Sequence, residues 1–172
     1  MALSDHELRR LREKATANLR GLVWPQVQEG ENEPAYTGRA ILPRLVELIS
    51  ELNHPGLKLR GDGFEAPDYV TLGNLTFTPD VAFSHNHSRE LAVECKFVSS
   101  GAVNNRIATA LGQASLYKTL GYKASMLVLV GKGKIHALDG GTTESLEKLG
   151  SSLGIDVIFA KPRGTLDYSK NQ

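Results

Sequence analysis

Apolar residues recur at a spacing of three and four positions in several stretches of the chain, which indicates amphipathic helices. The first of these follows Ser4 and Glu7, a capping-box pair, and continues to Arg20. The run from residue 21 to residue 36 has no period and contains Pro25, Gly30 and Pro34, so it is predicted to be a loop. The predicted helices cover residues 4–20, 37–52, 106–120 and 143–153, with Asn104 or Asn105 as the cap of the third.

Between the helices, apolar and polar residues alternate at the period of a β-strand. The runs 78–84 and 90–98 alternate and are predicted to form a hairpin with a turn near His87. The continuous apolar run 124–130 is typical of a strand buried on both faces. Shorter strands are predicted at 57–59, 69–72, 135–138 and 155–159, with a turn at 61–63 in which Asp62 lies and with Asp68 as a further turn residue. This mixture predicts an α/β fold.

The hairpin brings charged residues onto one face of a sheet. Leu91, Val93, Cys95 and Phe97 share the apolar face of the second run, and Val81 and Phe83 share that of the first. The other face then carries Glu94 and Lys96 side by side, and antiparallel pairing sets Asp80 opposite Glu94. Two opposed carboxylates repel each other unless a cation lies between them. Oxygen ligands of this kind suit Mg²⁺.

The sequence Pro79-Asp80 followed by Glu94-Cys95-Lys96 resembles the signature of the PD-(D/E)XK nuclease superfamily, which includes restriction-endonuclease-like and Holliday-junction-resolvase-like enzymes. The resemblance covers about residues 33–131. It implies an αβββαβ core with a mixed central sheet flanked by helices, and a metal-dependent DNA endonuclease. In such a site Asp80, Glu94 and the Cys95 carbonyl would hold Mg²⁺, with Mn²⁺ as a substitute, and Lys96 would polarise the attacking water.

Residues outside the hairpin extend the resemblance. The segment 110–117 is similar to the glutamine helix of many such nucleases, so Gln113 is expected to orient Lys96 or the scissile phosphate. Tyr117 and Arg106 share its helix face and are candidate substrate-binding residues. Glu33 is the favoured candidate for a further acid, although an ordinary surface glutamate is an equal alternative. The domain organisation expected is a nuclease-like domain at 31–160, preceded by a helix and connecting loop at 1–30 and followed by a polar tail at 161–172.

Composition adds bounds to this interpretation. The chain has 172 residues, of which 41% are hydrophobic, so one domain can form a packed core without disulfides or a structural metal. Cys95 is the single cysteine, which excludes an internal disulfide, and the N-terminus has no signal-peptide pattern. A cytoplasmic protein without a membrane partner is therefore expected. The net charge of +1 gives no indication of nucleic-acid binding, so any phosphate-binding surface must be a local patch.

Simpler explanations remain open at this point. Glu94 and Lys96 could be an exposed ion pair of little energetic value. The basic face of the first helix could be solvated or could contact phosphates, and His85 and His87 are expected in a solvated loop rather than at zinc. An inactive nuclease-fold module for nucleic-acid binding or assembly, or a protein whose carboxylates bind a small ligand, would carry the same hairpin. Cleavage of both strands of a duplex would favour a homodimer.

Overall fold

The computed structural model describes residues 2–61, 68–99, 102–132 and 140–162. The described helices are α1 Asp5–Arg20, α2 Glu33–Tyr36, the π-helical turn Thr37–Ile41, α3 Leu42–Leu52, α4 Val103–Thr119 and α5 Gly140–Leu153. The described strands are β1 Leu57–Arg60, β2 Val70–Leu72, β3 Leu75–Phe77, β4 Val81–His85, β5 Ser88–Val98, β6 Ala124–Gly131 and β7 Ile155–Ala160. None of the helices in these ranges is both long and apolar enough to cross a bilayer.

Five of the described strands form one mixed sheet in the order β1-β4-β5-β6-β7. The β1, β4 and β5 strands pair antiparallel, whereas β5, β6 and β7 pair parallel. The change of direction follows from the connections, because a short turn joins β4 to β5 and helix α4 carries the chain from β5 to β6. The β2 and β3 strands form a separate antiparallel pair.

Helices cover both faces of the sheet. On one face α1 and α3 contribute Leu11, Leu19, Leu45 and Leu48 to a core that includes Phe83, Val93 and Met126. On the other face α4 and α5 pack over residues such as Leu127, Leu129 and Val157. The β6 strand is buried along its whole length, as its continuous apolar sequence predicts. The α/β architecture with a mixed sheet between helices is therefore present.

The β4–β5 hairpin has the predicted register from Val81 to Phe83, and a β-bulge shifts the register by one residue between Phe83 and Ser84. Val81 pairs with Val93 and Phe83 with Leu91, and these side chains lie in the core beneath α1 and α3. The first residues of the two strands differ from the prediction, however. The β4 strand starts later, at Val81 rather than at residue 78, and the β5 strand starts earlier, at Ser88 rather than at residue 90. Two residues with positive φ, Asn86 and His87, make the turn.

His85 is a correction to the expected solvated loop. It ends β4, is 7% exposed, and its Nε2 lies 3.0 Å from the carbonyl oxygen of Pro55. Packing against the segment before β1 therefore removes His85 from solvent, while His87 stays exposed in the turn.

The second helical segment begins earlier than predicted. The stretch 33–36 was expected to be loop, yet α2 begins at Glu33 with Asn32 as its cap and Pro34 in its first turn, where a missing N–H costs nothing. Pro43 then falls inside a continuous helical run. The π-helical turn Thr37–Ile41 precedes Pro43. This local change of helical winding allows the helix to continue although proline has no backbone N–H to donate.

Other boundaries differ for similar local reasons. The β3 strand was not predicted, because its three residues are too few to show a period. The α4 helix starts at Val103 after Ala102 and has no side-chain cap, so the expected capping by Asn104 or Asn105 is wrong. Asp68 is more than a turn residue, since it accepts hydrogen bonds from Arg89 and Tyr122. The predicted Asp62 turn, the strand at 135–138 and tail residues 163–172 lie outside the described residues.

The α1 helix is part of the same packed body as the sheet. Ser4 and Glu7 form the predicted capping box, and Ala15 is fully buried in the core. On its basic face, Arg12 makes two hydrogen bonds of 2.9 Å to Asp156 of β7. Part of that face therefore serves to hold α1 on the sheet rather than to meet solvent.

Candidate functional site

The site lies where β5 continues beyond its antiparallel partner. The β4–β5 ladder ends at the pair Val81 and Val93, and the same register continued would set Pro79 opposite Cys95. Proline has no N–H to donate, so the ladder stops there. The remaining part of β5, up to Val98, is left with unpaired backbone groups on that side.

Two carboxylates satisfy those backbone groups. Asp80 Oδ2 accepts a 2.7 Å hydrogen bond from the N–H of Cys95, and Glu33 Oε1 accepts a 2.9 Å hydrogen bond from the N–H of Phe97. The C=O of a strand residue points to the same side as its N–H, so the Cys95 carbonyl faces this edge as well. Together with Glu94, these acids form what we call the acidic edge, which consists of Glu33, Asp80 and Glu94.

Lys96 connects the members of the acidic edge. Its Nζ lies 2.9 Å from Glu94 Oε1 and 3.2 Å from Glu33 Oε2. The lysine side chain is 16% exposed and that of Glu94 is 3% exposed. Arg106, at the start of α4, reaches Glu33 Oε1 at 3.6 Å and is largely exposed. The pair Glu94–Lys96 is therefore not the solvent-exposed surface pair of the simplest explanation.

Tyr117 closes the site from the side of α4. Its hydroxyl lies 3.0 Å from Glu94 Oε2 and 3.0 Å from the carbonyl oxygen of Thr78. A phenol has one hydrogen, so it can donate to only one of these acceptors at a time. While Glu94 is ionised, either its carboxylate or the Thr78 carbonyl is left without this hydrogen bond.

Burial raises the pKa of both central acids, and a like charge adds to the rise for Asp80. The pKa of Asp80 rises to about 7, because its carboxylate is desolvated and faces the charge of Glu94; the Cys95 N–H opposes the rise. Desolvation also raises the pKa of Glu94, against the charge and hydrogen bond of Lys96. Burial alone would lower the pKa of Lys96, but the charges of Glu94 and Glu33 outweigh it and raise the pKa above its usual value. Lys96 is therefore a cation at neutral pH.

Gln113 and Cys95 are placed differently from the charged residues. Gln113 lies one turn before Tyr117 on α4, and its Oε1 is buried without a hydrogen-bond partner among the described residues. The Cys95 thiol lies in the core beneath α1 and α3, and burial raises its pKa. A buried thiol of raised pKa does not act as a nucleophile, so only the backbone carbonyl of Cys95 belongs to the site.

The structure thus brings together most of the residues that the sequence analysis singled out. Hydrogen bonds and ion pairs at this edge join Glu33, Asp80, Glu94, Cys95, Lys96, Arg106 and Tyr117. The sequence analysis did not anticipate the Thr78 carbonyl as the second acceptor of Tyr117. No sequence signal could have found it, because a backbone carbonyl is the same at every residue.

The donor set is compatible with a hard divalent cation. Asp80, Glu94 and the Cys95 carbonyl offer oxygen atoms only, which suits Mg²⁺ better than zinc. Two buried acids with raised pKa values also gain from a neighbouring cation. Over the described ranges, the structure contains no cluster of three or more His, Cys, Asp or Glu side chains arranged to hold a metal, so any ion here would rely on two carboxylates with backbone and water oxygens.

Comparison of the sequence with protein-family models and with curated proteins gave no match.

Proposed function

We propose that this protein is a metal-dependent nuclease that hydrolyses phosphodiester bonds of DNA, as an endonuclease of the PD-(D/E)XK type. The observation that carries the proposal is the contact of Lys96 with Glu94 beside Asp80, at a strand edge where both carboxylates have raised pKa values. An ordinary surface ion pair has no need for a second buried acid. A site for a cation and a phosphate does.

The order of elements supports the same proposal. An α3 helix, the antiparallel strands β1, β4 and β5, helix α4 and the parallel strand β6 follow one another in the αβββαβ order that the resemblance implies. The β2–β3 pair is an insertion between the first and second strands of that core. A restriction-endonuclease-like arrangement is therefore part of the proposal.

In this proposal Asp80, Glu94 and the Cys95 carbonyl hold Mg²⁺, for which Mn²⁺ can substitute. When bound, such an ion acts as a Lewis acid and lowers the pKa of a coordinated water. Removal of Asp80 would take away one of only two carboxylate ligands. Activity should then be lost, and excess magnesium should not restore it.

Lys96 contributes charge rather than basicity. Because its pKa is raised, it remains protonated and can donate hydrogen bonds to a water or to a phosphate oxygen. Glu33 holds the ammonium from the other side, at 3.2 Å, so it acts as a positioning residue for Lys96. A fixed cation stabilises the extra negative charge that develops in phosphodiester hydrolysis.

Residues of α4 would complete the substrate side. Arg106 is exposed and close to the acidic edge, so its guanidinium can reach a phosphate of the substrate. Tyr117 fixes the orientation of Glu94, and Gln113 would orient Lys96 or the scissile phosphate. DNA as partner, a homodimer that cuts both strands and a cytoplasmic location remain parts of the proposal.

A cleavage panel tests this function. Supercoiled, linear, single-stranded and four-way-junction DNA are incubated with Mg²⁺, and the Lys96→Ala protein is compared with wild type. We expect Lys96→Ala to slow cleavage by a factor of about 100 or more, the effect of one preorganised electrostatic group. Metal binding, followed by the shift in melting temperature with Mn²⁺, should persist. Lys148→Ala is the control, because Lys148 is a solvent-exposed lysine on α5. Cleavage by Lys96→Ala at the wild-type rate would contradict the proposed role.

One observation favours the second candidate, a nuclease-like module without activity. Asp80 and Glu33 each accept a backbone N–H of β5, so their carboxylates also serve to finish the strand edge. A purely structural role of this kind needs no metal. A titration with Mn²⁺ that leaves the melting temperature of the wild-type protein unchanged, together with no cleavage of any substrate, would favour the inactive module.

A further inference from the structure

A polar cavity lies near the β4–β5 turn, at the end of β5 opposite to the acidic edge. Its volume is about 380 Å³, and polar side chains provide most of its lining. Those that matter here are Arg60, Ser84, His87, Ser88 and Arg89. We call this cavity the arginine pocket. It shares no lining residue with the acidic edge.

Arg89 is fixed in place before any ligand arrives. Its Nε donates to Asp68 Oδ1 at 3.0 Å, its Nη2 donates to the carbonyl oxygen of Tyr69 at 2.7 Å, and its guanidinium lies 5.8 Å from the ring centre of Tyr122. These contacts leave Nη1 without a hydrogen-bond acceptor in the described part of the chain. Gly121, a lining residue with φ of 119°, lies beside Nη1 and carries no side chain to cover it.

A β-bulge aims Arg89 into the pocket. Phe83 pairs with Leu91 but Ser84 pairs with Arg89, so Glu90 is an extra residue on β5. Without this extra residue, Arg89 would point to the core beneath α1. With the bulge it shares a face with Ser84.

Arg60 supplies a positive charge that has no acid in contact with it among the described residues. It pairs with Ala82 across the β1–β4 ladder and so projects from the same sheet face as Ser84. Within the described residues it makes no hydrogen bond or ion pair. Asp68 is the acid in the lining, and Arg89 and Tyr122 already use both of its oxygens. Among the described residues, the lining of the pocket therefore carries an excess of positive charge.

Hydroxyl groups surround this charge. Ser84 is 5% exposed and Ser88 is half-buried, and both line the cavity without an acceptor for their hydroxyls among the described residues. His87 adds an imidazole from the turn. Two guanidiniums and two hydroxyls offer more hydrogen-bond donors than the two oxygen atoms of a carboxylate can use well, whereas a phosphate group brings three strong acceptor oxygens.

We propose that the arginine pocket binds a phosphate group. The group could belong to a small phosphorylated molecule or to a nucleic-acid strand, and both sources offer the same oxygens. Glu94 and Arg89 are separated along β5 by about 15 Å, so under the proposed nuclease function one strand could reach both places. Phosphate binding itself does not depend on that function.

The test measures binding in EDTA, so that cleavage plays no part. Inorganic phosphate, a nucleoside 5′-monophosphate, and one DNA oligonucleotide with either a 5′-phosphate or a 5′-hydroxyl are titrated calorimetrically into wild type and Arg60→Gln. Arg44→Gln is the control, because it removes the same charge from α3, where Arg44 pairs with Glu47 on the surface. We expect Arg60→Gln to weaken binding about tenfold or more, and Arg44→Gln to leave it unchanged.

The four ligands identify the source of the phosphate. Tighter binding of the monophosphate than of either oligonucleotide indicates a small molecule, whereas tighter binding of an oligonucleotide indicates a nucleic-acid strand; both support the pocket if Arg60→Gln weakens them. Equal binding by Arg60→Gln and wild type would overturn the proposal, as would the absence of binding for all four ligands. Because Arg60 has no hydrogen-bond or ion-pair partner in the part of the chain that the structure describes, an unchanged melting temperature should accompany the loss of binding.

Discussion

Neutralising Asp80 should make the metal-free protein more stable, even though it removes a residue of the proposed site. The Asp80→Asn substitution keeps an oxygen that can accept the N–H of Cys95, and it removes the charge that faces Glu94. Asp80→Asn loses one interaction that favours the ionised form, which is the attraction of the Asp80 carboxylate to Lys96. Lys96 still has Glu94 and Glu33 as partners.

The size of the effect follows from the pKa. Folding raises the pKa of Asp80 from its ordinary value of 3.8 to about 7. Between these two pH values the folded protein holds a proton that the unfolded chain has released, so the free energy of unfolding falls as the pH rises, by about 1.4 kcal/mol per pH unit. The loss is absent below about pH 4 and complete above about pH 7. It amounts to at most about 4 kcal/mol, and we expect about 2–4 kcal/mol of it to be recovered by Asp80→Asn at pH 8.

Urea unfolding of wild type and Asp80→Asn between pH 4 and pH 8.5, in EDTA, measures this difference. Subtracting the two curves removes the contributions of titrating groups distant from Asp80, which both proteins share, and leaves those of Asp80 and of Glu94, which faces it. The difference should be small near pH 4 and largest at pH 8, where it corresponds to roughly 5–15 °C in melting temperature. Glu47→Gln, on the exposed face of α3, should show no such pH dependence. A variant that is less stable than wild type at pH 8 would refute the electrostatic account of Asp80.

Three further substitutions test other contacts. Tyr117→Phe removes the hydroxyl that lowers the pKa of Glu94, so the pH midpoint of Mn²⁺ binding should move upward. The free energy of unfolding should fall by about 1–3 kcal/mol. An unmoved pH midpoint would contradict this role of Tyr117. Gln113→Ala should slow cleavage with little change in melting temperature, because the side-chain Oε1 of Gln113 has no hydrogen-bond partner to lose among the described residues. Normal cleavage with a large loss of stability would instead make Gln113 a structural residue. Gly150→Ala should lower the free energy of unfolding in urea by about 1–3 kcal/mol, since a Cβ there would come within 2.5 Å of a Val157 methyl group. Gly112→Ala on α4 is the control and should be neutral or stabilising, because a Cβ there meets nothing within 4 Å.

Local patterns predicted much of the fold. The capping box at Ser4 and Glu7, the buried β6 strand and the β4–β5 register next to the site all follow from residue types at short separation, and the structure confirms them. The predictions failed where a tertiary contact decided the outcome. His85 looked like a loop residue but packs beneath the segment before β1. Pro34 looked like a helix breaker, but it stands in a first turn.

The candidate site shows the same division. Sequence alternation by itself determined that Asp80, Glu94 and Lys96 share one face, because side chains on a strand alternate with a period of two. Only the tertiary structure decided that Glu33, distant in sequence, lies 3.2 Å from Lys96 Nζ, and that Tyr117 lies 3.0 Å from Glu94. Helix positions relative to a sheet depend on how many side chains pack at once, and no local pattern encodes that sum. The raised pKa of Asp80 is likewise tertiary, because desolvation depends on everything that surrounds the carboxylate.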